Sequence, residues 1–307
     1  MVRPMHRLLP LFVAFFAALS GLSARAADEK PLVVSTNTIA HDLVQQVAGD
    51  FVRAQCLLPA GSDPHGYEPK PADIRHVARA DLVVVNGLGF ESWIAKLVAN
   101  SGFKGPVVTL AAGITPLTGA CTADHDHAHH HHGDIDPHAW QDVRNVIRYV
   151  ENLRLALVAL LPEHTAALNT RAAAYTAELN AVHDHVTKTL SALPEDRRKL
   201  VTSHDALAYL GHAYGLTIVP IAGLSTEQEP NARQLAQLIR RIRAEKVPAV
   251  FIESTSNPKL ARLLADEAGV VVPPSLYTDS VGPAGSPVDT YLGMMRHNAD
   301  TIAAALR

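Results

Sequence analysis

"EHTAALNTRAAAYTAELNAVHDHVTKTLSAL", residues 163–193, is bracketed by Pro162 and Pro194 and holds no Gly and no internal Pro. Ala, Leu, Thr and Glu dominate it. Nothing in it interrupts a backbone hydrogen-bond ladder, so the run predicts one helix. At about 1.5 Å per residue that helix spans roughly 45 Å. A flexible tether would be rich in Gly and Ser instead. The segment therefore reads as a stiff rod. His164, His183 and His185 on it read as solvated, since positions 183 and 185 do not share a helix face.

The rod divides a chain of 307 residues. On either side, short apolar runs alternate with amphipathic stretches. Before it, strands are expected at 32–35, 51–58, 82–85 and 107–110, with helices at 39–47 and 71–80. After it, strands are expected at 199–202, 216–220, 249–253 and 270–272, with helices at 231–245, 258–268 and 288–306. Continuous apolar strands separated by helices indicate parallel sheets covered on both faces. The expected fold is α/β, with an N-terminal lobe (27–162), the linking helix (163–193) and a C-terminal lobe (194–307). Each lobe is a parallel β-sheet flanked by helices, and one long rigid helix joins them.

Hydrophobic residues make up 48% of the chain, enough for a sizeable core, and the net charge is −3. No basic patch stands out, which argues against a nucleic-acid partner. The N-terminus, MVRPMHRLLPLFVAFFAALSGLSARAADEK, starts with Arg3, His6 and Arg7 and continues into an apolar run over 8–22. Ala24-Arg25-Ala26 supplies the small-x-small pattern of a cleavage site. Residues 1–26 are read as a secretory signal. The run is shorter than the roughly 20 residues of a membrane span, so an anchor is the weaker reading. No Cys lies near the cleavage point, which argues against lipid attachment. The expected location is the periplasm.

That compartment is oxidising, and the chain has 2 cysteines, Cys56 and Cys121. An even pair there predicts a disulfide, with two free thiols as the alternative.

Four residues carry the metal chemistry. His65 sits in "LLPAGSDPHGYEPKPADI" within Asp63-Pro64-His65, and Asp136-Pro137-His138 repeats the tripeptide. In both, the proline limits the backbone ahead of the imidazole, and a carboxylate lies two residues upstream. His204, in "KLVTSHDALAYL", falls where a strand ends and a helix begins. Asp279, in "LYTDSVG", follows the last strand. Open parallel sheets bind ligands beyond the carboxyl ends of their strands. Three imidazoles and one carboxylate form a tetrahedral set suited to Zn²⁺. The competing reading of Asp279 is a turn cap. Glu68 is expected to be a hydrogen-bond partner of His65 or an alternative ligand. Trp140 and Tyr67 are expected to pack near the ion without touching it.

The stretch from Asp124 to Asp134 is polar apart from Ala128 and holds His125, His127, His129, His130, His131 and His132. It cannot join a core, and His-rich tracts bind metal by composition. It is read as a capture loop (124–133) beside a fixed site, with incidental affinity as the plainer alternative. His41, His76, His212 and His297 share no spacing and are taken as structural or exposed. "EQEPN" (227–231) reads as a turn and helix cap. "NGLGFESW" (86–93) has glycines but no phosphate-loop pattern.

With "DPHGYEPKPADI", "DPHAWQDVRN", "TSHDALAYL", "YTDSVG" and the central helix, the chain resembles the metal-binding solute proteins of bacterial ABC importers, the cluster A-I or TroA-like group. Within that group it is most similar to zinc-specific members of the ZnuA and AztC kind. The likeness implies Zn²⁺ as transported ligand at His65, His138, His204 and Asp279, and no catalytic residues. It implies an inner-membrane ABC permease as partner, a periplasmic zinc metallochaperone as a candidate loader, and a monomer. Manganese-specific relatives tend to carry a carboxylate where His204 stands; some zinc members fill the Asp279 position with water. The rivals are a zinc hydrolase on the same ligands, and a metal-binding adhesin or zinc buffer. Catalytic zinc keeps an open position for water, and no His-Glu-x-x-His pattern occurs.

Overall fold

Strands β1 (Leu32–Ser35), β2 (Arg53–Cys56), β3 (Leu82–Val85) and β4 (Val107–Thr109) pair in the order β2-β1-β3-β4, every pairing parallel. The inner strands are the apolar ones: β3, Leu-Val-Val-Val, is buried throughout, whereas edge strand β2 opens on exposed Arg53. That is the pattern of a sheet covered on both faces. The second sheet, β6-β5-β7, comprises β5 (Lys199–Thr202), β6 (Thr217–Pro220) and β7 (Val250–Phe251), again parallel. This computed structural model describes residues 30–118, 135–224 and 231–307. The secretory signal, Cys121, the capture-loop histidines and residues 227–230 lie outside the described residues.

The helices are α1 (Thr38–Ala48), α2 (Pro71–Arg79), α3 (Ile94–Ser101), α4 (Val143–Leu160), α5 (Thr165–Ser191), α6 (Ala208–Tyr214), α7 (Ala232–Ala244), α8 (Pro258–Ala268) and α9 (Tyr291–Leu306). Their ends follow local chemistry. Asn37, Asp142, Asn231 and Asn257 accept backbone N–H bonds at the starts of α1, α4, α7 and α8. Gly102, Gly215 and Gly269 close α3, α6 and α8 in the left-handed region.

The rod is α5, one turn shorter than the proline-to-proline span because residues Pro162–His164 form a separate 3₁₀ turn. It is no bare connector. Leu168, Ala172, Tyr175, Leu179, Val182, Val186 and Leu190 lie on one buried face, at spacings of three and four, and join the main core. That core runs through α1, α4, α5 and α9 and takes in residues of both sheets, so the lobes share one apolar interior. The helix histidines are correspondingly half-buried rather than solvated. His164 stacks on Phe51, His183 Nδ1 lies 3.1 Å from the Tyr214 hydroxyl, and His185 pairs with Asp300 at 2.9 Å.

Two further expectations change. The second strand shortens to Arg53–Cys56, because residues Gly49–Phe51 form a 3₁₀ turn and Leu57 and Leu58 turn into the core. The last strand reduces to isolated bridges, Ala249 to Val271 and Glu253 to Leu276; Val271 is 60% exposed, and Pro273 and Pro274 have no N–H to donate. Among the described residues Cys56 is a free thiol within 3.1 Å of the Leu58 carbonyl, and burial pushes its thiol up to about 12; Cys121, the other half of the expected disulfide, lies outside the described residues.

Candidate metal centre

Both Asp-Pro-His tripeptides fold the same way. The Asp63 carboxylate accepts the His65 backbone N–H at 2.9 Å, and Asp136 accepts that of His138 at 2.9 Å. Each aspartate thus closes a turn over its proline and fixes the imidazole that follows. Asp136 does more: the same oxygen lies 2.7 Å from His138 Nδ1, which leaves Nε2 to face inward. His204 stands just beyond the end of β5, and its Nδ1 contacts a carboxylate oxygen of Glu253, just beyond β7. Glu253 also accepts the His204 backbone N–H at 3.2 Å.

The four inward atoms converge. His65, His138, His204 and Asp279 each offer one donor atom, all within 4.8 Å of one another. His65 Nε2 lies 3.2 Å from His138 Nε2, and Asp279 lies 3.7, 3.5 and 3.1 Å from the Nε2 atoms of His65, His138 and His204. His138, His204 and Asp279 are at most 1% exposed. Neither Asp279 oxygen receives a well-directed hydrogen bond. A desolvated carboxylate without donors, facing three imidazole nitrogens, fits a cation at their centre. The donor set suits a divalent transition metal.

The charges are strongly coupled. Burial alone would lower the His204 pKa, but the Glu253 and Asp279 carboxylates outweigh it and hold the imidazolium well above its ordinary range. Burial alone would raise Asp279, but His204, His65 and His138 hold it well below the usual carboxylate range. A bound metal must displace the His204 proton. Affinity is therefore expected to fall as pH falls, beginning above the ordinary imidazole pKa of about 6.5, by roughly tenfold per unit for each proton displaced. Metal titrations between pH 8 and 5.5 check this; a flat profile would contradict it.

The surroundings differ in part from the sequence reading. Trp140 packs beside the site, its ring 5.3 Å from that of His138. Tyr67 instead packs on Trp93 and donates to Asp73 at 2.7 Å. Glu68 is exposed and makes no hydrogen bond to His65, because it projects from an irregular loop in which a three-residue spacing brings no side chains together. The carboxylates that orient imidazoles are Asp136 and Glu253. A charged residue closing the apolar run 249–253 was the available signal for the latter. Removing its charge as Glu253→Gln is expected to weaken metal binding by about 10–100-fold without unfolding the protein; competition titration and apo-protein melting distinguish the two effects.

"NGLGFESW" also acquires a place. Asn86 donates to the Pro137 carbonyl at 3.0 Å, and Trp93 donates to the Pro64 carbonyl at 3.0 Å, so one segment grips both Asp-Pro-His turns. Between them Phe90 sets its ring 5.0 Å from that of His65. Gly87, Leu88 and Gly89 all have positive φ, and a Cβ on Gly87 would come within 2.4 Å of the Thr109 side chain. Glu91, fully buried, accepts bonds from Thr36, Asn37 and the Asn86 amide and holds the segment down.

Two α/β lobes sharing a core around a buried cluster of three imidazoles and one carboxylate define a two-lobed metal-binding protein. Over residues 33–305 the chain matches the family model described as zinc-uptake complex component A, periplasmic, and it belongs to that family, ZnuA. It is 33% identical over 274 residues to the manganese-binding lipoprotein MntA of Halalkalibacterium halodurans, covering 89% of this chain and 88% of that one. It is 35% identical over 309 residues to the iron-binding protein YfeA of Yersinia pestis, covering 98% and 96%. Among solved structures, the periplasmic zinc-binding protein TroA from Treponema pallidum matches with a TM-score of 0.82 at 34% identity, covering 90% of this chain and 99% of that one. Members of the family are metal-binding receptors of ABC importers and not enzymes, which closes the hydrolase reading. The metals in the relatives' names are manganese, iron and zinc, so membership does not single out zinc.

Proposed function

We propose that the protein is a periplasmic Zn²⁺ receptor that binds the ion through His65, His138, His204 and Asp279 and delivers it to an ABC permease. The observation that carries zinc is the donor set: three imidazole nitrogens against one carboxylate, with His138 and His204 each backed by a carboxylate at Nδ1. Nitrogen-rich sets favour zinc, whereas manganese prefers oxygen. The test is competition between Zn²⁺ and Mn²⁺ for metal-free protein, with metal analysis of the protein as purified. Zinc is expected to win by several orders of magnitude; manganese binding as tight as zinc would overturn the assignment.

Export through residues 1–26 fits this role, and no described helix is long and apolar enough to cross a membrane. One chain supplies all four donors, so a monomer suffices. A periplasmic zinc metallochaperone is the proposed loader. The His-rich segment is proposed to collect zinc for the cleft: Thr118 and Ile135 pair at its base, and Ile135 lies three residues before His138. Deleting residues 124–133 is expected to leave one tight zinc equivalent and to remove the weaker ones. Loss of the tight equivalent would show that the two are a single site.

A further inference from the structure

Asp279 follows the second sheet in sequence, yet its backbone is held from the first lobe. Trp140 Nε1 and Gln141 Nε2 both donate to the Thr278 carbonyl, at 2.7 and 2.9 Å. Both sit in the 3₁₀ turn directly after His138. On the other side of Asp279, Thr38 at the start of α1 accepts the Val281 N–H at 3.0 Å and donates to Ser280 Oγ at 3.1 Å. Ser280 Oγ also accepts the Gly61 N–H at 2.9 Å, from the loop that leads to His65. From its own lobe, among the described residues, the segment Thr278–Ser280 has side-chain contacts, Thr278 Oγ1 to Glu253 at 3.5 Å and the Asp279 carboxylate to His204 Nε2 at 3.1 Å; the firm backbone bonds to Asn298 on α9 end one residue earlier, at Tyr277.

We propose that Thr38 and Gln141 are positioning residues for Asp279, so that the only anionic donor is fixed by the lobe that carries His65 and His138. This rests on the reading of Asp279 as a ligand. Its consequence is a division of the site unlike the order of the chain: His65, His138 and Asp279 form one preset trio. His204, backed by Glu253, Thr202 and the second sheet, is the separate fourth arm. A carboxylate buried without donors of its own would otherwise be free to rotate away from the ion. Bonds to the Thr278 carbonyl before it and the Val281 N–H after it fix the backbone from which that carboxylate projects before metal arrives.

The test is a double-mutant cycle read by zinc competition titration. Thr38→Val with Gln141→Met keeps side-chain volume and removes the hydrogen bonds. The pair is expected to lower zinc affinity about tenfold in the otherwise unaltered protein and less than twofold when Asp279→Ala is also present. Thr38→Ser, which keeps the hydroxyl, is expected to stay within twofold of the unaltered protein. Equal losses in both backgrounds, or no loss where Asp279→Ala alone is costly, would overturn the clamp while leaving Asp279 a ligand. An Asp279→Ala that costs nothing would overturn the ligand reading and the clamp with it. Hydrogen exchange of residues 278–282 in the unaltered, metal-free protein needs no variant. Slow exchange at the Val281 amide is expected, and exchange as fast as in a free peptide until zinc is added would refute the clamp.

Discussion

Zinc affinity is expected to fall by at least about a hundredfold in His138→Ala. Structural zinc sites with four protein ligands bind by about 10–16 kcal/mol, so each ligand accounts for roughly 3 kcal/mol, and 1.4 kcal/mol is a factor of ten. His138 should lie at the upper end. It is fully buried, its Nδ1 is held by Asp136, and its neighbours Trp140 and Gln141 reach across to the Asp279 segment. Its removal also leaves Asp136 buried opposite an empty space. Competition titration measures the loss, with His212→Ala as the control, since His212 is exposed on α6 and touches none of the donors. An affinity within tenfold of the unaltered protein would mean that the ion is held elsewhere.

Leu179→Ala in the rod is expected to cost about 2–5 kcal/mol of folding stability, the range for emptying a buried leucine site. Leu179 is 0% exposed in the middle of α5, in a core to which both lobes contribute. Glu178→Ala, on the outer face one residue away, is expected to stay within about 0.5 kcal/mol. Denaturant unfolding of the metal-free protein separates the two. A cost for Leu179→Ala no larger than for Glu178→Ala would show that α5 merely spans the lobes. The predicted cost instead makes α5 the common wall of both, and wide hinge opening would then tear the shared core. Small displacements at the cleft are expected, so a scattering radius that shrinks by several Å on adding zinc would contradict this.

The four candidate ligands, which the structure brings together, were legible because each carries a local signal. Two share Asp-Pro-His, whose turn geometry is written in three consecutive residues; His204 follows an apolar strand, and Asp279 an apolar run that forms only isolated bridges. The supports were not legible. Glu253 meets His204 across 49 residues of chain, Gln141 meets Thr278 across 137, and Asn86 meets Pro137 across 51. No local periodicity encodes such pairs. Helix α4 is a different case: Val143, Val146, Tyr149, Val150, Leu153 and Leu157 repeat at helical spacing, and the signal was in plain view beside the DPHAWQ motif.

From the sequence alone follow the α/β class, the rod, the placement of His204 at a strand end and the four candidate donors, since backbone propensity and turn chemistry act over a few neighbours. Only the tertiary structure decided that the rod is core rather than tether, that Asp136 and Glu253 rather than Glu68 orient the imidazoles, and that Asp279 is gripped by the opposite lobe. These depend on which buried donors meet which buried acceptors once the sheets are packed, and burial makes each such pairing obligatory without leaving a mark in the local order of residues.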